Sequence, residues 1–135
     1  MANPVPAGSD VSADALAVAH ANARRLGLEV ELVEADLVPA GPWDVIVSNP
    51  PYVAVDDPAV APGVRAHEPH LALYAGADGL DVIRRLVAAR AGVLVLEVGE
   101  GQADTVAFLA RAAGYVRTEV RADLAGIDRI VVAWA

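Results

Sequence analysis

The sequence predicts an α/β fold: an open, mainly parallel sheet whose strands alternate with helices, with an antiparallel strand pair at its carboxyl-terminal side. Three observations carry this. Short, wholly apolar runs, Val45-Ile46-Val47 and Val93-Leu94-Val95-Leu96, suit parallel strands buried on both faces. Segments with apolar residues at helical spacing flank them, at 13–26, 80–90 and 102–113. The last two strand-like runs, 115–121 and 130–134, are joined by Asp123-Leu124-Ala125-Gly126-Ile127-Asp128, too short a link for a parallel crossover.

The 135 residues suffice for one domain, 1–135, with one core. Hydrophobic residues make up 56% and charged residues 21%, a globular balance. The net charge of −8 speaks against holding nucleic acid through many phosphate contacts and suits a cationic cofactor or a neutral peptide. With no cysteine, disulfides and thiolate metal sites are excluded. No run is long enough to span a membrane, and residues 1–8 lack the basic start and apolar stretch of a signal peptide, so no membrane partner is expected and the cytoplasm is the default compartment.

Pro4 and Pro6 make 1–8 a poor strand interior. Helix 13–26 has Ser12 as N-cap, Asp14 in its first turn, Leu16, Ala19, Ala23 and Leu26 on one face, and Gly27 for a left-handed stop. Asp10, just ahead, projects from the end of whatever strand precedes it. It is either a turn residue or an acceptor for a ribose diol. Residues 29–35 read as a strand followed by Asp36-Leu37, where Asp36 is either a solvated carboxylate or a contact for an adenine amino group. The segment from Val53 to Asp78 is rich in proline and expected to be structure-poor, a loop covering the substrate with Glu68 tying it down. His67 and His70 do not form a metal site in this reading, because Pro69 prevents their sharing a helical face and no third ligand is apparent. Helix 80–90 should turn Leu80, Ile83, Leu86 and Val87 inward, and helix 102–113 Val106, Leu109, Ala110 and Ala113. Gly99 and Gly101 do not make a dinucleotide pattern.

The stretch that carries chemistry is Asn49-Pro50-Pro51-Tyr52, at the end of a strand expected near the middle of the sheet. Two prolines end the strand and leave carbonyls with no neighbouring N–H. The Asn49 side-chain carbonyl and the Pro50 carbonyl are both acceptors and together can grip the two hydrogens of an –NH2 group. That grip suits methylation of an amide or exocyclic amine, whose delocalised lone pair must be aimed at an electrophilic methyl group. No general base is required if the acceptors favour the charge developing on nitrogen. Tyr52 would pack on the flat target group.

In this order the motifs resemble the carboxyl-terminal two-thirds of the catalytic domain of the HemK/PrmC family, the protein-(glutamine-N5) methyltransferases that modify peptide chain release factors. The matching pieces are Ser9-Asp10-Val11-Ser12, Asp14-Ala15-Leu16, Asn22-Ala23, Asp36-Leu37, Asp44 through Tyr52, Glu68-Pro69 with Leu71-Ala72-Leu73, Gly76 with Asp78-Gly79-Leu80-Asp81, Leu96-Glu97-Val98-Gly99 with Gln102, and Asp128-Arg129. The resemblance implies a Rossmann-like class I sheet that uses S-adenosylmethionine. By it, Asp10 matches the ribose-binding carboxylate and Asp36, with Leu37, the residues beside the adenine. Asn49 and Pro50 match the catalytic pair, Asn49 also one of the cofactor-binding residues, and Asn49, Pro50, Pro51 and Tyr52 the residues that hold the glutamine amide.

Nothing before Gly8 matches the family's glycine-rich first strand and loop or its amino-terminal helical domain. A missing strand leaves a gap of two strand spacings, about 9.6 Å, edged by unpaired backbone. The expectation is therefore a truncated sheet that binds S-adenosylmethionine weakly or not at all by itself: a fragment of a longer reading frame, a truncated pseudoenzyme, or a chain completed by a dimer mate or a partner chain. Two other readings stay open: a non-catalytic remnant that acts as a binding module, and a DNA adenine N6-methyltransferase, which shares the tetrapeptide but needs a basic groove.

Overall fold

The computed structural model describes residues 4–55, 57–67 and 69–135. Glu68, expected to anchor the loop, lies outside them. The chain falls into two compact units, Met1–Gly41 and Pro42–Ala135.

The smaller unit is a strand–helix–strand piece. β1 (Ala7–Asp10) pairs in parallel with β2 (Glu31–Glu34), in register from Ala7 opposite Glu31 to Asp10 opposite Glu34. Helix α1 (Ala13–Leu26) connects them with the boundaries its sequence specifies. Ser12 Oγ accepts from the Ala15 N–H at 3.2 Å, and Gly27 takes the left-handed conformation at φ 65°, where its N–H meets the carbonyls of Ala23 and Arg24. Leu16, Ala19 and Ala23 are half-buried as expected, whereas Leu26 is exposed.

The larger unit holds a four-stranded sheet in the order β3-β4-β6-β5, formed by β3 (Val45–Ser48), β4 (Val93–Glu97), β5 (Arg117–Ala122) and β6 (Asp128–Trp134). β3 and β4 run parallel, and β6 is antiparallel to both β4 and β5. The expected antiparallel pair thus forms the carboxyl-terminal edge, with a bulge between Arg121 and Ala122. Tyr115, expected in this strand, is buried ahead of it, and its hydroxyl accepts from the Ala91 N–H at 3.0 Å.

Helices α4 (Asp81–Ala89) and α5 (Ala103–Ala112) supply the rest of the core: Leu80, Ile83, Leu86 and Val87, then Val106 and Ala110, are buried. They share it with Ile46, Leu94, Leu96, Val131 and Ala133, which alternate onto one sheet face. Asp78 leads into α4 by accepting from the Leu80 N–H at 3.0 Å and pairing with Arg84 at 2.5 Å; Arg84 holds its carboxyl down at a pKa of about 2.

Two expectations need correction. Val45-Ile46-Val47 is neither central nor buried on both faces: β3 is an edge strand, Ile46 is buried, and Val45 and Val47 are 53% and 72% exposed. A β-branched run reports strand propensity but cannot say whether a second layer covers its other face. The segment after Tyr52 is also more ordered than expected, with short helices α2 (Pro62–His67) and α3 (His70–Leu73) on either side of Pro69 and a parallel bridge from Val53 to Tyr74. Among the described residues no three His, Cys, Asp or Glu side chains are grouped to hold a metal ion.

Adjacent residues of β3 should therefore respond in opposite ways. Ile46→Ala is expected to cost about 2–5 kcal/mol of unfolding free energy, and Val47→Thr to stay within about 0.5 kcal/mol, as read by urea denaturation.

Candidate functional site

Each sequence-predicted residue sits at the carboxyl end of a strand. In the smaller unit, Asp10 is the last residue of β1 and exposed; its Oδ1 accepts from the Ser12 N–H at 2.7 Å, so its turn-forming role is realised. The Asp10 carbonyl accepts from the Ala35 N–H at 3.0 Å, which brings the ends of β1 and β2 together. Asp36 and Leu37 follow directly. Leu37 adopts φ 69°, costly for a residue with a Cβ, and its carbonyl accepts from Ser9 Oγ at 2.5 Å. Asp10, Asp36 and Leu37 thus form one cluster at one end of the two-stranded sheet.

In the larger unit, β3 ends at Ser48, opposite Leu96 of β4. Asn49 is exposed, Pro50 buried, and Pro51 and Tyr52 half-buried. Among the described residues, neither the Asn49 side chain nor the Pro50 carbonyl has a hydrogen-bond partner. The two acceptors expected to hold an –NH2 group are thus unpartnered among the described residues, one on an exposed residue and one on a buried residue.

Tyr52, by contrast, is held at both ends. Its hydroxyl donates to Glu97 Oε1 at 3.3 Å. Its carbonyl accepts from Gln102 Nε2 at 2.9 Å, and Gln102 Oε1 accepts from the Gly99 N–H at 2.7 Å. Gly79, at φ 77°, backs onto the same carbonyl so closely that a Cβ there would lie 2.3 Å from the oxygen. A Cβ on Gly99 would meet Gln102 Oε1 at 2.7 Å and the Tyr52 ring at 3.2 Å. Beyond Tyr52, the Val53 N–H donates to the Leu73 carbonyl at 3.1 Å and the Ala75 N–H to the Val53 carbonyl at 2.9 Å. Glu97, Gly99, Gln102 and Gly79 are the residues that reading by type and spacing missed. Their signal was present as residue identities in the matching motifs, without any indication of what they touch.

Burial, and then the neighbouring Glu97 carboxylate, push the Tyr52 phenol above its usual value, with Arg129 opposing. Burial disfavours the phenolate, and a carboxylate beside it disfavours a second negative charge. Because the folded pKa is raised, the protonated phenol contributes stability fully below the unfolded value, and that contribution is lost as pH rises through the folded one. A ring-carbon NMR titration should place Tyr52 above 10.0, the ordinary tyrosine value. Glu97→Gln should bring it down part of the way, since burial persists.

Comparison with known proteins gives three findings. A family model, the methyltransferase small domain, matches residues 5–64. The chain is 47% identical over 131 residues to the release factor glutamine methyltransferase of Deinococcus radiodurans, covering 91% of this chain and 47% of that protein. It is 46% identical over 136 residues to the one of Cereibacter sphaeroides, covering 93% and 49%. The chain thus spans about half the length of the curated relatives it matches. Among solved structures, the Mtq2–Trm112 complex of E. cuniculi, responsible for methylation of the eRF1 translation termination factor, is 25% identical with a TM-score of 0.54, covering 98% of this chain and 86% of that one. A methyltransferase from Pyrococcus furiosus matches with a TM-score of 0.67 at 15% identity over 95% of this chain and 61% of its own, a likeness of fold.

Proposed function

We propose that the chain is a class I catalytic-domain segment of the HemK/PrmC type, for S-adenosylmethionine-dependent methylation of a glutamine side-chain amide in a peptide chain release factor. The observation that carries this is the pair of unpartnered acceptors, the Asn49 side chain and the Pro50 carbonyl, at the carboxyl end of β3.

A primary amide presents two N–H donors on one nitrogen. The Asn49 side-chain carbonyl takes one and the Pro50 carbonyl the other. With both hydrogens held, rotation about the amide is arrested and the face of the nitrogen is fixed in one direction. The two acceptors also stabilise positive charge as it develops on that nitrogen. The half-buried Tyr52 ring offers a flat surface for the amide plane.

The residues present fit one half of the cofactor. Asp10 has a carboxylate at a strand end, the chemistry a ribose diol needs, and Asp36 and Leu37 stand at the neighbouring strand end for the adenine. When bound, S-adenosylmethionine supplies the electrophilic methyl group. Its sulfonium charge suits a chain of net charge −8.

The partners in this reading are the release factor and a further strand along the free edge of β3, from a second copy or another chain. Two separate sheets and the exposed Val45 and Val47 support the second. The assembly of the related Mtq2 with Trm112 supports a partner chain. Translation termination implies the cytoplasm, and among the described residues no helix is long and apolar enough to cross a membrane. The acidic balance of 18 Asp and Glu to 10 Lys and Arg disfavours a DNA substrate.

A peptide titration tests the amide grip without requiring cofactor. Acetyl-Gly-Gly-Gln N-methylamide, whose only primary amide is the glutamine side chain, should shift the Asn49 side-chain amide signals in NMR, and the Gly-Gly-Glu counterpart should not. Asn49→Ala should weaken binding about tenfold, the loss of one hydrogen bond in a partly desolvated site; equal affinity for the two peptides would overturn the reading. The 135-residue chain alone should give no micromolar S-adenosylmethionine affinity by calorimetry, and a micromolar value would overturn the need for a completing strand.

A further inference from the structure

The turn from Asn49 to Tyr52 carries an unusual mechanical problem. Pro50 and Pro51 have no backbone N–H, so the two residues that aim the Pro50 carbonyl cannot be pinned through their own nitrogens. Upstream, the last anchored position is Ser48, opposite Leu96 in the β3–β4 ladder. Downstream, the first anchored position is the Tyr52 carbonyl, gripped by Gln102 Nε2 at 2.9 Å and backed by Gly79. Three residues lie between these anchors, and two of them have φ locked by their rings. The orientation of the Pro50 carbonyl is thereby tied to where the Tyr52 carbonyl is held.

Gln102 is suited to this task by its functional group. Its carboxamide donates to the Tyr52 carbonyl and accepts from the Gly99 N–H at 2.7 Å at the same time. An ionised carboxylate could do only the second, an ammonium only the first, and an aliphatic side chain neither. Gly99 leaves the space, since a Cβ there would press on both Gln102 and the Tyr52 ring. The β4–α5 connection, residues 98–102, therefore acts as a bracket for the proline turn.

We propose that Gln102 is a positioning residue for amide binding: through Tyr52 it aims the Pro50 carbonyl at the second hydrogen of the –NH2 group whose first hydrogen Asn49 accepts. This rests on the reading that Asn49 and Pro50 hold a primary amide. Gln102 itself does not touch the substrate.

Three variants of the full 135-residue chain test it, with acetyl-Gly-Gly-Gln N-methylamide as the probe and the Gly-Gly-Glu peptide as the control. Gln102→Leu should move the carbonyl-carbon shifts of Pro50, Pro51 and Tyr52, leave the β3–β4 ladder amides protected, and bind the glutamine peptide about tenfold more weakly. Gln102→Glu should show the same defect at pH 7 and recover affinity as pH falls toward about 4, because a protonated carboxyl again presents one donor and one acceptor. Gln102→Leu and the wild-type chain share the Glu97 carboxylate on the Tyr52 hydroxyl and the nearby Arg129, so they set the baseline over the same range, and the recovery is the gain of Gln102→Glu relative to both. A packing role alone would show no such pH dependence. If Gln102→Leu binds like wild type, or Gln102→Glu stays defective at low pH with its ladder intact, the positioning role falls and the amide grip stands. If the wild-type chain fails to distinguish the glutamine from the glutamate peptide, the amide grip falls and the positioning role with it. Asn49→Ala, the third variant, should lose the discrimination while leaving the Tyr52 shifts unmoved; movement of those shifts would contradict the assigned direction of the coupling.

Discussion

Two consecutive prolines remove two N–H donors from the main chain just where β3 stops, and the packing around Tyr52 compensates for that loss. Without those donors the turn cannot continue the β3–β4 ladder, and the Pro50 carbonyl has no hydrogen-bond partner among the described residues. The same deficit would leave the turn poorly defined if nothing else held it. Definition comes instead from groups distant in sequence: Gln102 and Gly79 on the Tyr52 carbonyl, Glu97 on its hydroxyl, and the Val53–Tyr74 bridge just beyond. Open acceptors and a fixed frame are opposite requirements, met here by putting the free groups on Asn49 and Pro50 and the constraints on Tyr52.

The architecture explains why these residues are available to one another. Parallel pairing of β3 with β4 puts their carboxyl ends side by side, so Tyr52 leaves one strand where Glu97, Gly99 and Gln102 leave the next. This is the end of an open α/β sheet at which ligands bind. Glycine occurs at the points of closest approach, Gly79 and Gly99, where any side chain would collide with the bracket. The smaller unit repeats the principle with different chemistry: β1 and β2 are parallel, and Asp10, Asp36 and Leu37 gather at their carboxyl ends.

The exposed flank of β3 shows what a strand run can and cannot report. Val45 and Val47 have the composition of an interior strand, and they present a free edge and an uncovered face. Relatives twice the length of this chain have room for further covering structure. An apolar strand edge is a template for pairing, and an extended segment laid along it would satisfy the backbone groups and cover the valines together.

Local physics was legible in the residues themselves. Ser12 and Gly27 marked both ends of α1, the apolar spacing of α4 named its buried residues, and the short final link required an antiparallel pair. That the turn after β3 brings no N–H from Pro50 or Pro51 was also readable, because proline's missing donor is a covalent property. What waited for the tertiary structure was everything that depends on which strand lies beside which: β3 at an edge, Tyr115 buried ahead of its strand, the short helices around Pro69, and the bracket that Gln102 makes across fifty residues to Tyr52. Capping, periodicity and proline chemistry act within a few residues and are written in sequence order. Burial and long-range hydrogen bonds are settled only when the sheet brings remote segments within about 3 Å of each other.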